Sequence, residues 1–149
     1  MNILDGLLGE HAALLTVFEH LEQKSSHMSV DELQEAGALL ERLLMAHSVG
    51  EDRFLFDAVK ANHGMGVEET LIAMRGEHRV MAAEIATLRA CDKAAQGRSQ
   101  LRRLIESTRE HFGVEERVLF AVAARELSRE KLEELGDGWK RFRMREAVA

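Results

Sequence analysis

The chain has no proline. Proline breaks helices and punctuates loops, so 149 residues without one fit long helices joined by short turns. There is no tyrosine, which excludes a tyrosyl radical. Cys91 is the single cysteine, so there is no internal disulfide and no Cys-rich metal site, and a reducing, cytoplasmic setting is expected. Positive charge is not in excess: the net charge is −6, and nucleic acid is not an expected partner, because phosphate binding needs a positive face. No stretch approaches the roughly 20 apolar residues that span a membrane. The opening "MNILDGLLGEH" has no basic segment before a long apolar run, so no signal peptide is expected. Walker, dinucleotide-glycine and H-E-x-x-H patterns are absent, and no His has a Glu three residues before it, as E-x-x-H diiron bundles require.

What is present is helical. Apolar residues make up 46% and charged residues 31%, which suits one globular domain over residues 1–149. Apolar residues recur at helical spacing in four long segments. The first runs from about Asn2 to Lys24, with Ile3, Leu4, Leu7, Leu8, His11, Leu14, Leu15, Phe18 and Leu21 inward. Ser29 and Glu32 in "SVDE" form a capping box that opens the second. Its stripe includes Leu40, Leu44, His47, Glu51, Phe54, Leu55 and Ala58, and Gly64 and Gly66 are expected to end it. The third spans about Val67 to Cys91, with Met74, His78 and Met81 inward; "DKAAQG" reads as the turn after it. The fourth spans about Ser99 to Arg125, with His111, Glu115, Val118, Leu119 and Val122 inward. Ser128 caps a short fifth helix expected to end at "LGDG", before the basic tail "WKRFRMREAVA". The expected fold is all-α: an antiparallel up-down-up-down four-helix bundle over about 2–125, with a C-terminal helix and tail over about 128–149.

The chain is internally duplicated. "GEH" at 9–11 recurs at 76–78, and His47, Glu51, Arg53, Leu55 and Phe56 recur as His111, Glu115, Arg117, Leu119 and Phe120. Each half reads as a helical hairpin with one His on its first helix and H-x-x-x-E on its second. Two such hairpins packed together have a pseudo-twofold axis.

Residues four apart share a helix face, so His47 and Glu51 point the same way, as do His111 and Glu115. The apolar stripes make that direction inward, where an unpaired carboxylate is very costly and two also repel. Cations remove both problems, and imidazole plus carboxylate suits iron, manganese or zinc. Six ligands exceed the four of a structural zinc site. Two carboxylates can bridge two ions roughly 3.5–4 Å apart, with two imidazoles on each ion. One or two positions per ion then stay open for a bridging oxygen, water or a small ligand.

These residues resemble the hemerythrin-like (HHE cation-binding) family. The matching elements are "GEHAALL" around His11, "HSVGE" at 47–51, "GEHRVM" at 76–81 and "HFGVE" at 111–115. The resemblance implies a four-helix bundle around a non-haem diiron centre, with His11, His47, His78 and His111 as terminal ligands and Glu51 and Glu115 as bridges. It departs from the oxygen-carrying members, which have a fifth His where this chain has Met74. A thioether is a poor ligand for oxidised iron, so Met74 is expected to line the pocket. The four-His, two-Glu set is more similar to the diiron domain of bacterial iron-centre repair proteins, although the 149 residues hold no counterpart of their Cys-containing N-terminal region.

The expected function is therefore binding or sensing of dioxygen, nitric oxide, peroxide or a similar small ligand at two irons. The alternatives are a redox enzyme on the same site and a metal-free helical interaction protein. His20, His27 and His63 are expected at the surface, and Glu10, Glu77, Arg53 and Arg117 on solvated faces. Met45, Met74 and Met81 are expected as core filler, and the tail is expected to pack through Trp139 or to dock a protein partner.

Overall fold

In the computed structural model of the chain, which describes residues 1–63 and 67–146, each long apolar stripe is a helix. The Asn2 side chain accepts a hydrogen bond from the Leu4 N–H at 2.8 Å and opens α1, Ile3–Ser25. The predicted capping box forms: Ser29 Oγ accepts from the Glu32 N–H, and Glu32 Oε2 accepts from the Ser29 N–H at 2.7 Å. It starts a rod over 30–63, made of α2 (Val30–Gly50), a π-helical turn π1 (Glu51–Phe56) and α3 (Asp57–His63). α4 covers Glu68–Arg89. A second rod over 94–126 repeats the pattern, with α5 (Ala94–Val114), π2 (Glu115–Phe120) and α6 (Ala121–Glu126). Ser128 Oγ accepts from the Lys131 N–H, and α7 follows, Arg129–Glu146. The result is the all-α, up-down-up-down bundle with a shorter C-terminal helix.

Two boundaries differ from expectation. α5 starts at Ala94 rather than Ser99, so only about Ala90–Lys93 serves as the turn. α7 does not stop at "LGDG" but runs through it. Gly136 and Gly138 are there for close approach. A Cβ on Gly136 would lie 1.9 Å from the Met1 carbonyl oxygen, and one on Gly138 would lie 3.0 Å from the Phe54 ring. The predicted breakers Gly64 and Gly66 lie outside the described residues, as does the side chain of His63.

The π turns were not foreseen, and they move the buried face. An α-helical stripe continuing from Glu51 and Glu115 would bury Phe54, Ala58, Val118 and Val122. A π turn holds an extra residue, so Leu55 and Leu119 stay inside as expected, while the rest of the buried face shifts to Phe56 and Val59 in one rod and to Phe120 and Ala123 in the other. Val118, expected inside, is exposed; so is Leu8 on α1.

Apolar side chains form two separate layers. One gathers Phe18, Leu33, Leu44, Ile85, Leu104 and Phe112. The other gathers Leu7, Phe56, Leu71, Met74, Phe120 and Trp139. Between them lies a layer of buried His and Glu.

Candidate metal centre

All six residues singled out by the repeat meet in that polar layer. His11, His47, Glu51, His78, His111 and Glu115 are each buried. His11 comes from α1 and His47 from α2; their Nε2 atoms stand 3.1 Å apart. His78 from α4 and His111 from α5 repeat this at 3.0 Å. Glu51 sits at the first position of π1 and Glu115 at that of π2, so both carboxylates project between the imidazole pairs. Glu51 Oε1 is 3.7 Å from His11 Nε2, and its Oε2 lies 3.3 Å from His47 Nε2 and 3.6 Å from His78 Nε2. Glu115 Oε2 lies 3.6 Å from His11 Nε2 and 3.5 Å from His111 Nε2. Two four-residue groups result, each able to hold a metal ion: His11, His47, Glu51 and Glu115, and Glu51, His78, His111 and Glu115. Both carboxylates belong to both groups.

Three of the four outer ring nitrogens are also hydrogen-bonded. His11 Nδ1 donates to Glu116 at 2.8 Å, and His47 Nδ1 to Glu10 at 2.9 Å. His111 Nδ1 donates to Glu77, and His78 Nδ1 faces Asp52 at 3.5 Å. The pattern follows the repeat: the acid before each "GEH" histidine holds the H-x-x-x-E histidine of its own hairpin. The acid after each buried Glu reaches the first histidine of the other hairpin. Glu10, expected on a solvated face, is instead largely buried against the His47 imidazole; Glu77 is exposed, as expected, and still reaches His111. Asp52 and Glu116 escaped notice in the sequence. Their signal was there, because the repeat writes "ED" at 51–52 and "EE" at 115–116.

Tautomers follow from these bonds. A neutral imidazole whose Nδ1–H donates to a carboxylate presents a bare lone pair at Nε2. Burial, with the neighbouring imidazoles His47 and His111, holds His11 well below its ordinary value, at about 3, and burial likewise lowers His47 and His111. At His11 and His47, whose Nδ1 atoms both donate outward, the Nε2 atoms therefore oppose lone pairs 3.1 Å apart; the His78 Nδ1 has no hydrogen-bond partner, so its Nε2 can carry the proton and donate to His111. Two imidazoles bound at right angles to one ion, each at about 2.1 Å, also stand about 3 Å apart.

The carboxylates need the same remedy. Among the described residues no donor outside the carboxylate pair reaches the four oxygens of Glu51 and Glu115. Burial and the charge of Glu115 push Glu51 well above the usual carboxylate range. Burial, with the charges of Glu77, Asp52 and Glu116, pushes Glu115 up to about 8 against the hydrogen bond from Glu51. A pair of dry carboxylates is held either by a shared proton or by cations, and the facing lone pairs of His11 and His47 favour cations.

Aromatic walls keep the layer dry. His11 stacks on Phe112 with centroids 3.9 Å apart and lies 5.6 Å from Phe120. His78 lies over Phe56 at 5.7 Å. Each π turn thus carries a carboxylate at its start and, five residues on, a Phe that covers an imidazole of the opposite hairpin. Met74, at the position of the missing fifth His, is buried in the apolar layer. His20 and His27 are exposed, as expected. Arg53 lies over Phe54 and Phe142, away from the carboxylates.

Fold and site together define a metal-binding helical bundle with a duplicated His/Glu donor set. The chain belongs to the hemerythrin family: the family described as "Hemerythrin HHE cation binding domain" matches residues 2–123. A more distant similarity is to a protein of Nostoc sp. named "DNA nickase", 25% identical over 140 residues. The match covers 94% of this chain and 38% of the Nostoc protein, so the chain spans well under half of that relative. No solved structure matches. Among the described residues no helix is long and apolar enough to cross a membrane.

Proposed function

We propose that the chain binds two iron ions, one in each His/Glu group, and engages a small ligand such as dioxygen, nitric oxide or peroxide there. His11 and His47 hold one ion and His78 and His111 the other, while Glu51 and Glu115 are shared by both. The observation that carries this reading is a pair of buried carboxylates with no donor outside the pair, facing two pairs of imidazole nitrogens. Bound iron supplies open coordination positions and one-electron chemistry; manganese and zinc suit the same donors. The chain's own residues do the rest. Glu116, Glu10, Asp52 and Glu77 fix imidazole orientation, Phe56, Phe112 and Phe120 exclude water, and Met74 leaves open the place a fifth imidazole would take.

The DNA cleavage named for the Nostoc protein is outside this reading. The net charge is −6, and within the basic C-terminal stretch Trp139 is buried and Arg143 is bonded to Glu10. Redox turnover at the same His/Glu groups is the companion reading, because iron held there supplies one-electron chemistry. Rapid peroxide disproportionation that disappears with Glu51→Ala would place it first.

Iron-replete protein is expected to carry two irons per chain, to absorb in the near ultraviolet when oxidised, and to shift that spectrum on adding nitric oxide after reduction. Glu51→Ala and Glu115→Ala are each expected to abolish dinuclear binding. Retention of two metals by either variant, or below about 0.3 metal ions per chain in the unaltered protein, overturns the assignment.

A further inference from the structure

The two proposed metal positions have different surroundings although their donors match. The first is covered by α7, beside a smaller cavity of about 160 Å³ lined by Glu10, Leu14, Leu43 and Arg143. Trp139 lies flat against the backbones of α1 and α2: its ring is 2.8 Å from where a Cβ would stand on Gly6 and 3.2 Å from the same point on Gly50. One turn on, Arg143 Nε donates to Glu10 Oε1, and Glu10 Oε2 accepts from His47 Nδ1. That chain of contacts is largely buried, with Glu10 at 16% and Arg143 at 26% exposure.

The second position has no such cover among the described residues. His111 Nδ1 is held by Glu77, which is 53% exposed. Beside them a cavity of about 280 Å³ opens between α4 and α5. His111 and Met81 form its inner wall, Val80 and Val114 its sides, and Glu77, Glu84 and Glu110 its acidic lining. Val80 and Val114 are solvent-exposed, so the cavity is reached directly from water. A negative, water-accessible cleft raises the local concentration of cations. It also gives the His111 imidazole room to swing away from the centre.

We propose that this α4/α5 cavity is the route by which metal ions reach and leave the centre. The ion held by His78 and His111 exchanges first, and the Arg143–Glu10–His47 chain locks the other. The proposal rests on the dinuclear reading above. It makes Arg143 a positioning residue that acts through Glu10, and it makes the two ions kinetically distinct although the donor set is symmetric.

The test is anaerobic release of ferrous iron from fully loaded protein into excess ferrozine, followed by absorbance. Two phases of equal amplitude are expected, separated by at least about tenfold, the scale on which contacts to metal-bound imidazoles act. Val114→Trp, which fills the cavity from an exposed position, should slow the fast phase about tenfold. Arg143→Gln should speed the slow phase by a similar factor and leave the fast one in place. Release of both irons in one phase overturns the proposal, and so does a fast phase indifferent to Val114→Trp. An iron content below two per chain at the start would instead overturn the dinuclear reading, and this proposal with it.

Discussion

The N-terminal and C-terminal hairpins carry the same chemistry in different settings. Both supply two imidazoles, a π-turn carboxylate and an acid before the first histidine. In the first hairpin that acid, Glu10, is largely buried and tied to α7 through Arg143. In the second its counterpart, Glu77, is half in water beside an open cavity. The repeat sets which His and Glu side chains each half presents. The single helix added after it packs on only one side, so the two halves have different surroundings. An internally duplicated sequence therefore need not give two equivalent sites.

The largest stability effect that sharpens this contrast is expected from Trp139→Ala. The indole is buried against Gly6 and Gly50, and removing a buried Trp costs about 3 kcal/mol or more. Urea denaturation should show that loss, and hydrogen exchange should rise in α1 and α2 while α4 stays protected. Equal loosening of α4 would break the distinction between the halves.

Next come Glu10→Gln and Glu77→Gln. Each removes a charge-assisted bond to a ring nitrogen, which typically lowers metal affinity by about 10–100-fold. Glu10→Gln is expected at the upper end, because the half-buried Arg143 is left without its carboxylate, and Glu77→Gln at the lower end, because water replaces the contact. Competition with a chelator of known affinity would rank them. A larger effect at Glu77 would reverse the assignment of the tighter half.

The smallest effect is the pH dependence of the metal-stripped protein. Folded Glu115 titrates at about 8 against an ordinary 4.5, so the fold holds a proton that the unfolded chain has released. That contribution is present below 4.5 and fades as pH rises toward 8. Folded His11 titrates at about 3 against an ordinary 6.5, so its contribution is present above 6.5 and fades as pH falls toward 3. Stripped protein is therefore expected to be most stable between these limits. Bound cations displace the carboxyl protons, so the gap in Tm between loaded and stripped protein should widen from pH 5.5 to 8. A gap that narrows over that range contradicts the carboxylate direction.

The helices were legible because apolar spacing, Ser29, Glu32 and Ser128 act locally. The six central residues were legible because the duplication repeats their spacing. Glu10 was misjudged because a helix wheel shows only a residue's own helix. Glu10 points away from His11 and toward His47, a residue on another helix. The glycines of "LGDG" were misread for the same reason: their lack of a side chain serves contacts with Met1 and Phe54, not the turn they resemble.

By itself the sequence determined the helical class, the twofold pattern and the donor set, since all three depend on spacing along one chain. Only the tertiary structure decided the π turns, which fit each rod's buried face to its neighbours, and the crossing of Asp52 and Glu116 to the opposite hairpin. It alone also set the difference between a half covered by α7 and a half beside the larger, open cavity. Those features depend on which helices become neighbours, and that is settled by packing two layers of apolar side chains around a polar one.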